Sequence, residues 1–171
     1  KRAKMSKICS NVYVCTDSKE IKKKCEQFSS KVIMTSSRHI NGTERIAEAA
    51  KKLRLKDNDI ILDVQGDEPL IDPKQIDSTI KFFKKNKFEI VLPNILIKNG
   101  SSKNIVKLVF DKNNQVRWMS RSELPFYFKS NKKIFYKHLS IIAFTKKSLN
   151  KYAKLKPSKN EKIESIELLR A

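Results

Sequence analysis

Residues 61–73, ILDVQGDEPLIDP, constrain the fold of this chain more than any other stretch. Ile60, Ile61, Leu62 and Val64 form a short apolar run that stops at once in Gln65-Gly66-Asp67-Glu68-Pro69, the profile of a buried strand running into a turn. Gly66 permits a sharp exit and leaves room beside the backbone, and Pro69 holds Glu68 extended. In open α/β sheets, ligands bind at the carboxyl ends of the strands, and Asp67 and Glu68 fall at such an end. A carboxylate there is a hard oxygen donor suited to Mg2+ beside a phosphate. The bland alternative is a polar strand-to-loop junction.

The same punctuation runs along the chain. Apolar runs at residues 12–15, 31–34, 59–64 and 90–92 alternate with helical spacing at residues 20–27, 42–55 and 73–86. Residues 106–110 and 116–119 flank Asp111-Lys112-Asn113-Asn114 and read as a hairpin. Residues 136–144 read as one further strand and 148–155 as a short helix. Residues 159–171 read as a last helix with Ile163, Ile166 and Leu169 on one face, and residues 1–9 as the end of a helix. Short strands alternating with helices predict an α/β fold. A length of 171 residues suits one domain with a real core.

The formal net charge is +20, from 38 Lys and Arg against 18 Asp and Glu, and this first suggests a nucleic-acid partner. The basic residues are mostly Lys, however, and lie scattered in short pairs such as Lys51-Lys52, Lys84-Lys85 and Lys146-Lys147. No aromatic-plus-basic strand of the RNA-binding kind accompanies them, so no nucleic acid is expected. A basic nucleic-acid-binding module stays as an alternative. Cys9, Cys15 and Cys25 form an odd set without zinc spacing, and His39 and His138 lie far apart in sequence. Free buried thiols in a reducing cytoplasm are the expectation. No apolar stretch is long enough to span a membrane, and no membrane partner is expected.

Four collinear stretches carry a family resemblance across nearly the whole chain. Val64 to Ile71, VQGDEPLI, resembles the central motif of the CMP-KDO synthetases, the 3-deoxy-manno-octulosonate cytidylyltransferases of Gram-negative bacteria. Tyr13-Val14-Cys15-Thr16-Asp17 is similar to that family's "VATD" strand end. Thr35 to Arg45, TSSRHINGTER, resembles its "TSxxHxSGTDR" loop. Pro157-Ser158 and the residues from Glu161 to Arg170 resemble its "PSxLExIExLEQLR" segment.

The resemblance implies a nucleotide-diphospho-sugar transferase-like fold, a three-layer α/β sandwich with a mostly parallel central sheet. Residues 12–15 and 59–64 would be neighbours in it or one strand apart, with the hairpin at the sheet edge. It implies the reaction of CTP with a 2-keto sugar acid to give a CMP-sugar and pyrophosphate, for lipopolysaccharide synthesis in the cytoplasm. Mg2+ is the implied cofactor and a homodimer the implied full-length assembly. The family also has an earlier strand, a basic triphosphate loop and a later acidic motif. Residues 1–171 are therefore expected to be a single but incomplete cytidylyltransferase domain, an internal fragment inactive alone.

The same resemblance assigns roles. Asp67 is the expected catalytic Mg2+ ligand, against a turn-capping role. Gln65 would offer a donor and an acceptor to the sugar acid, or else satisfy loop backbone. Asn41, Gly42, Thr43 and Arg45 would lie against cytosine and ribose, with Arg45 otherwise pairing with Glu44 or Glu48. Arg121, in an "SRxxIP"-like context, would hold the sugar carboxylate in bidentate fashion. His138, in a "RHIGIYAY"-like strand, and Glu164 with Glu167, one helical step apart, would face sugar hydroxyls; otherwise they are structural or solvated. Ile142 stands where the family has Tyr, and Leu168 where it has Gln. A pocket built for a hydroxyl loses much when a partner is missing, so a different 2-keto sugar acid stays open as the substrate.

Overall fold

Helix starts in this chain are set by side chains that accept otherwise orphaned N–H groups. In the computed structural model, which describes residues 1–86 and 88–171, Ser18 accepts from Ile21 N at the head of α1 (Lys19–Gln27). Asn41 accepts from Glu44 N at the head of α2 (Gly42–Lys52). Asp72 accepts from Lys74 N before α3 (Pro73–Lys85), whose leading proline has no N–H to lose. Thr145 and Ser158 open α4 (Lys146–Tyr152) and α5 (Lys159–Glu164) with reciprocal capping boxes. Among the described residues, no helix is long and apolar enough to cross a membrane.

The chain divides into two compact units, Lys1–Val91 with Ser140–Lys154 and Leu92–Leu139 with Leu155–Ala171. In the first unit, β1 (Tyr13–Thr16) and β2 (Lys31–Met34) form a parallel pair. A second sheet has β9 (Ile141–Thr145) between β3 (Ile60–Val64) and β4 (Ile90–Val91), antiparallel to both. Helix α2 packs on β1 and β3, and α3 packs on β9. Ile71, Ile76, Ile80 and Ile141 are buried together, with Leu62 and Val64 packed against them. Full burial of side chains of this size contributes about 1.5–3 kcal/mol each.

In the second unit, β5 (Asn94–Ile97), β8 (Phe135–His138), β6 (Lys107–Phe110) and β7 (Val116–Ser120) form one antiparallel sheet in that order. The β6–β7 hairpin forms as expected. Asn114 takes the left-handed conformation in its turn, at φ 58°, and Asp111 accepts from the N–H groups of Asn113 and Gln115. Gly100 is required by a close approach: a Cβ there would fall 2.7 Å from the Phe135 ring.

Several expectations need correction. The mostly parallel sheet is not found: among the described residues only β1–β2 pairs in parallel, because β9 enters the first unit running against both its neighbours. β1 and β3 are not hydrogen-bonded to each other and belong to separate sheets among the described residues. The single strand expected over residues 136–144 is two strands in two sheets, parted where Leu139 N donates to Pro93 O. The last helix is broken at Ser165, whose left-handed φ of 50° ends α5, and residues 167–170 form a separate 3-10 turn. Residues 1–9 hold only a 3-10 turn at Arg2–Met5. The three free thiols are half-buried rather than buried.

Candidate functional site

The first turn of α2 is held from three sides. The Asn41 side chain accepts from Glu44 N at 2.9 Å and donates through Nδ2 to Tyr152 Oη of α4 at 3.3 Å. Thr43, fully buried, donates to Asp63 Oδ2 of β3 at 3.2 Å. Arg45 reaches the ends of both parallel strands: Nη1 donates to Thr35 Oγ1 at 2.8 Å and to Ser36 O at 3.3 Å, and lies 3.2 Å from Asp17 Oδ1. Arg45 therefore pairs with Asp17, not with Glu44 or Glu48, and joins the carboxyl ends of β1 and β2 to α2. Nearby, burial pushes the Cys15 thiol up to about 11, with the Asp63 carboxylate adding to the rise and Arg45 opposing it. Cys15 is thus a protonated thiol and not a nucleophile at neutral pH.

The segment between β2 and α2 is gripped by one face of that helix. Glu48 accepts from Ser36 N at 2.9 Å and from Lys52 at 2.7 Å, and meets His39 Nε2 at 2.5 Å. Glu44 accepts from Ile40 N at 3.2 Å, and Lys52 donates to Met34 O at 2.6 Å. Lys52 first, then the Ser36 N–H and His39, hold the Glu48 carboxyl down to about 2.

At the end of β3, Gln65 N donates to Ser140 O at 3.0 Å, which continues the β3–β9 ladder by one step. Gly66 has no positive φ, so the backbone does not need glycine there, and a Cβ would meet nothing within 4 Å. Free space, not the sharp turn, is what this glycine supplies. Asp67 is exposed and makes no side-chain hydrogen bond or ion pair among the described residues. Glu68 is half-buried and accepts from Ser140 Oγ at 3.4 Å. Among the described residues no three His, Cys, Asp or Glu side chains gather as a metal cage. Asp67 nonetheless fits Mg2+ of the substrate-completed kind, which takes one or two carboxylates and fills its octahedron with phosphate oxygens and water.

The second unit contains Arg121, His138, Glu164 and Glu167. Glu164 accepts from Ser120 Oγ at 2.7 Å and from Arg121 N at 2.9 Å, and the Arg121 N–H is the main reason its carboxyl titrates below the usual range. Arg121 donates to the carbonyls of Glu164 (2.7 Å), Lys103 (2.9 Å) and Ser165 (3.0 Å). These bonds use three of its five N–H groups. Fully buried Lys107 sets the other side, donating to the carbonyls of Ser102, Ile105 and Arg121; burial pulls its ammonium below the ordinary lysine value. His138 ends β8, its N–H donating to Val106 O at 2.9 Å. Glu164 ends α5 and Glu167 opens the next turn, so the two do not share a helix face.

The structure thus gathers Asn41, Gly42, Thr43, Arg45, Gln65 and Asp67 in the first unit and the four others in the second. Sequence reasoning passed over Asp63, Tyr152, Lys107 and the pairing of His39 with Glu48. A charged residue inside an apolar strand, Asp63 in ILDV, was the one available signal.

A family model described as Cytidylyltransferase matches residues 1–171. The 8-amino-3,8-dideoxy-manno-octulosonate cytidylyltransferases of Shewanella baltica and Shewanella frigidimarina are 39% and 37% identical over 175 residues, which cover 99% of this chain and 71% of theirs. The solved structure of CMP:2-keto-3-deoxy-manno-octonic acid synthetase complexed with CTP is similar at a TM-score of 0.89 and 28% identity, covering 99% of this chain and 70% of that one.

Proposed function

Because this chain belongs to the cytidylyltransferase family, we propose that it moves CMP from CTP to the anomeric hydroxyl of a 3-deoxy-manno-octulosonate-type sugar acid and releases pyrophosphate. It is a nucleotidyltransferase. The observation that carries the finer reading is the end of β3, where an exposed carboxylate, Asp67, with no partner among the described residues, follows a glycine beside open space.

Transfer of this kind depends on positioning and on neutralising charge. The first turn of α2 offers backbone groups at close range to cytosine and ribose, and Arg45 keeps that turn fixed to both strand ends. Gln65 presents its amide beside the reacting centre. Ser120, Arg121 and Glu164 fix the end of β7, from which the two remaining Arg121 donors take the sugar carboxylate. Asp67 would hold Mg2+, which when bound would supply neutralising charge at the α-phosphate.

Two sugar acids are supported, the 8-amino acid named for the Shewanella relatives and the unsubstituted acid named for the structural neighbour. Ile142 and Leu168 do not separate them: both are buried, at 1% and 7% exposure, and serve packing. We assign the reaction to the cytoplasm, where CTP is. A homodimer fits the exposed apolar side chains of the second unit, Leu96, Phe126 and Phe128.

In the intact protein, assayed with CTP, Mg2+ and each acid in turn, Asp67→Asn should lower turnover on the order of a hundredfold or more while far-UV circular dichroism stays native. Full activity in that variant would remove Asp67 from the reaction, and no CMP-sugar from either acid would overturn the substrate class.

A further inference from the structure

A carboxylate inside a strand is costly and needs a reason. Asp63 is 2% exposed in the middle of β3, on the same face as buried Ile61 and between Leu62 and Val64. An aliphatic side chain would suit those neighbours better. What faces the carboxylate is the first turn of α2. Thr43 Oγ1 donates to Oδ2, and that same oxygen lies 3.8 Å from where a Cβ on Gly42 would stand. An anion at this place meets the positive end of an eleven-residue helix, which offsets part of its desolvation. Its charge is felt across the gap to β1, where it adds to the rise of the Cys15 thiol.

We propose that Asp63 is a positioning residue for the nucleotide: its carboxylate seats Gly42 and Thr43 on β3 and so fixes the CTP-binding turn relative to the strand whose end carries Asp67. The inference rests on the cytidylyltransferase reading and adds to it a residue that touches neither substrate nor metal. Asn41 and Tyr152 secure the outer side of the turn, and Asp63 secures the side facing the sheet. The two halves of the reacting site in the first unit, helix turn and strand end, are joined through this side chain.

The test uses the intact protein and two readouts, calorimetric binding of CTP without sugar acid, and KM for each substrate. Asp63→Ala should weaken CTP binding and raise the KM for CTP about tenfold, the worth of one hydrogen bond to a charged group. The KM for the sugar acid should stay within about twofold. Asp63→Asn keeps an acceptor for Thr43 and should recover most of the loss. Thr43→Val should weaken CTP binding in the same direction, and the double variant Asp63→Ala/Thr43→Val should be no worse than Asp63→Ala alone. Wild-type CTP binding in Asp63→Ala, or equal rises in both KM values, would overturn the proposal. If Asp63→Ala does not fold, Thr43→Val decides, and unchanged CTP binding there overturns it. A wild-type protein that binds CTP but makes no CMP-sugar would fail the transfer reading and leave the positioning role to the binding data. A wild-type protein that binds no CTP would overturn both.

Discussion

Arg170 and Glu161 show how a single pair can hold a chain segment. The Arg170 side chain is 1% exposed and the Glu161 side chain 9%, and the guanidinium meets both carboxylate oxygens. Arg170 also donates to Leu155 O at 3.2 Å, and Ser158 N donates to Glu161 at 3.2 Å. One guanidinium thereby fastens residues 155–170 around the start of α5. Removing one partner of a buried pair leaves a charge unmatched, so Arg170→Met should cost about 3–5 kcal/mol. Trp118, the only tryptophan and part of the same unit, reports it by fluorescence in urea. Arg170→Met/Glu161→Gln should lose less than Arg170→Met, because no charge is then stranded. A loss under 1 kcal/mol in the single variant would show that the pair contributes little.

At the scale of elements, α2 is the organiser of the first unit. Glu44, Glu48 and Lys52 recur every four residues along one face and grip the segment from Met34 to Ile40. Glu48 titrates near 2 in the folded chain, well under its ordinary 4.5. A carboxyl depressed by folding stabilises above the unfolded range, and that stabilisation is lost as pH falls towards 2. The melting temperature of the wild type should therefore exceed that of Glu48→Gln at pH 5 to 7, and the gap should close between pH 5 and 2. A gap independent of pH would place the effect elsewhere. The helix starts near residues 20, 42, 73 and 159 were legible from helical spacing, and the structure shows the local caps behind them, Ser18, Asn41, Asp72 and Ser158, each acting within three residues of itself. Residues 136–144 misled for the opposite reason: alternation of side chains shows a strand but not a change of sheet at Leu139 and Ser140. The bent end of α5 was hidden because Ser165 has no special liking for a positive φ. At the candidate site, QGDEP pointed to a carboxylate past the end of a strand, and Asp67 is exposed just beyond β3. The carbonyl partners of Arg121, which come from Lys103, Glu164 and Ser165, follow from packing that no local pattern encodes.

For the whole molecule, the +20 charge is spread rather than massed. Lys52 pairs with Glu48 within α2, Lys133 with Glu123 and Lys151 with Glu89, three pairs well apart in the sequence. Such a surplus repels itself in the compact state. Screening shortens from about 30 Å at 0.01 M salt to about 10 Å at 0.1 M. The melting temperature should rise by roughly 2–4 °C per kcal/mol of repulsion removed as NaCl goes from 10 to 100 mM, and a fall would contradict the picture.

The order of strands in the first unit also sets a timetable. β9 is the middle strand of its sheet, yet it is the last of the three to be made. Between Val64 and Thr145 a ribosome working at 5–20 residues per second needs roughly 4–16 s. Until β9 is made, β3 and, once it is made, β4 lack their β9 partner, the one strand either pairs with among the described residues, and their open N–H groups can pair with a neighbouring nascent chain. A holdase that covered Ile60–Val64 until Ile141–Thr145 emerges would shield the strand edge that β9 later takes.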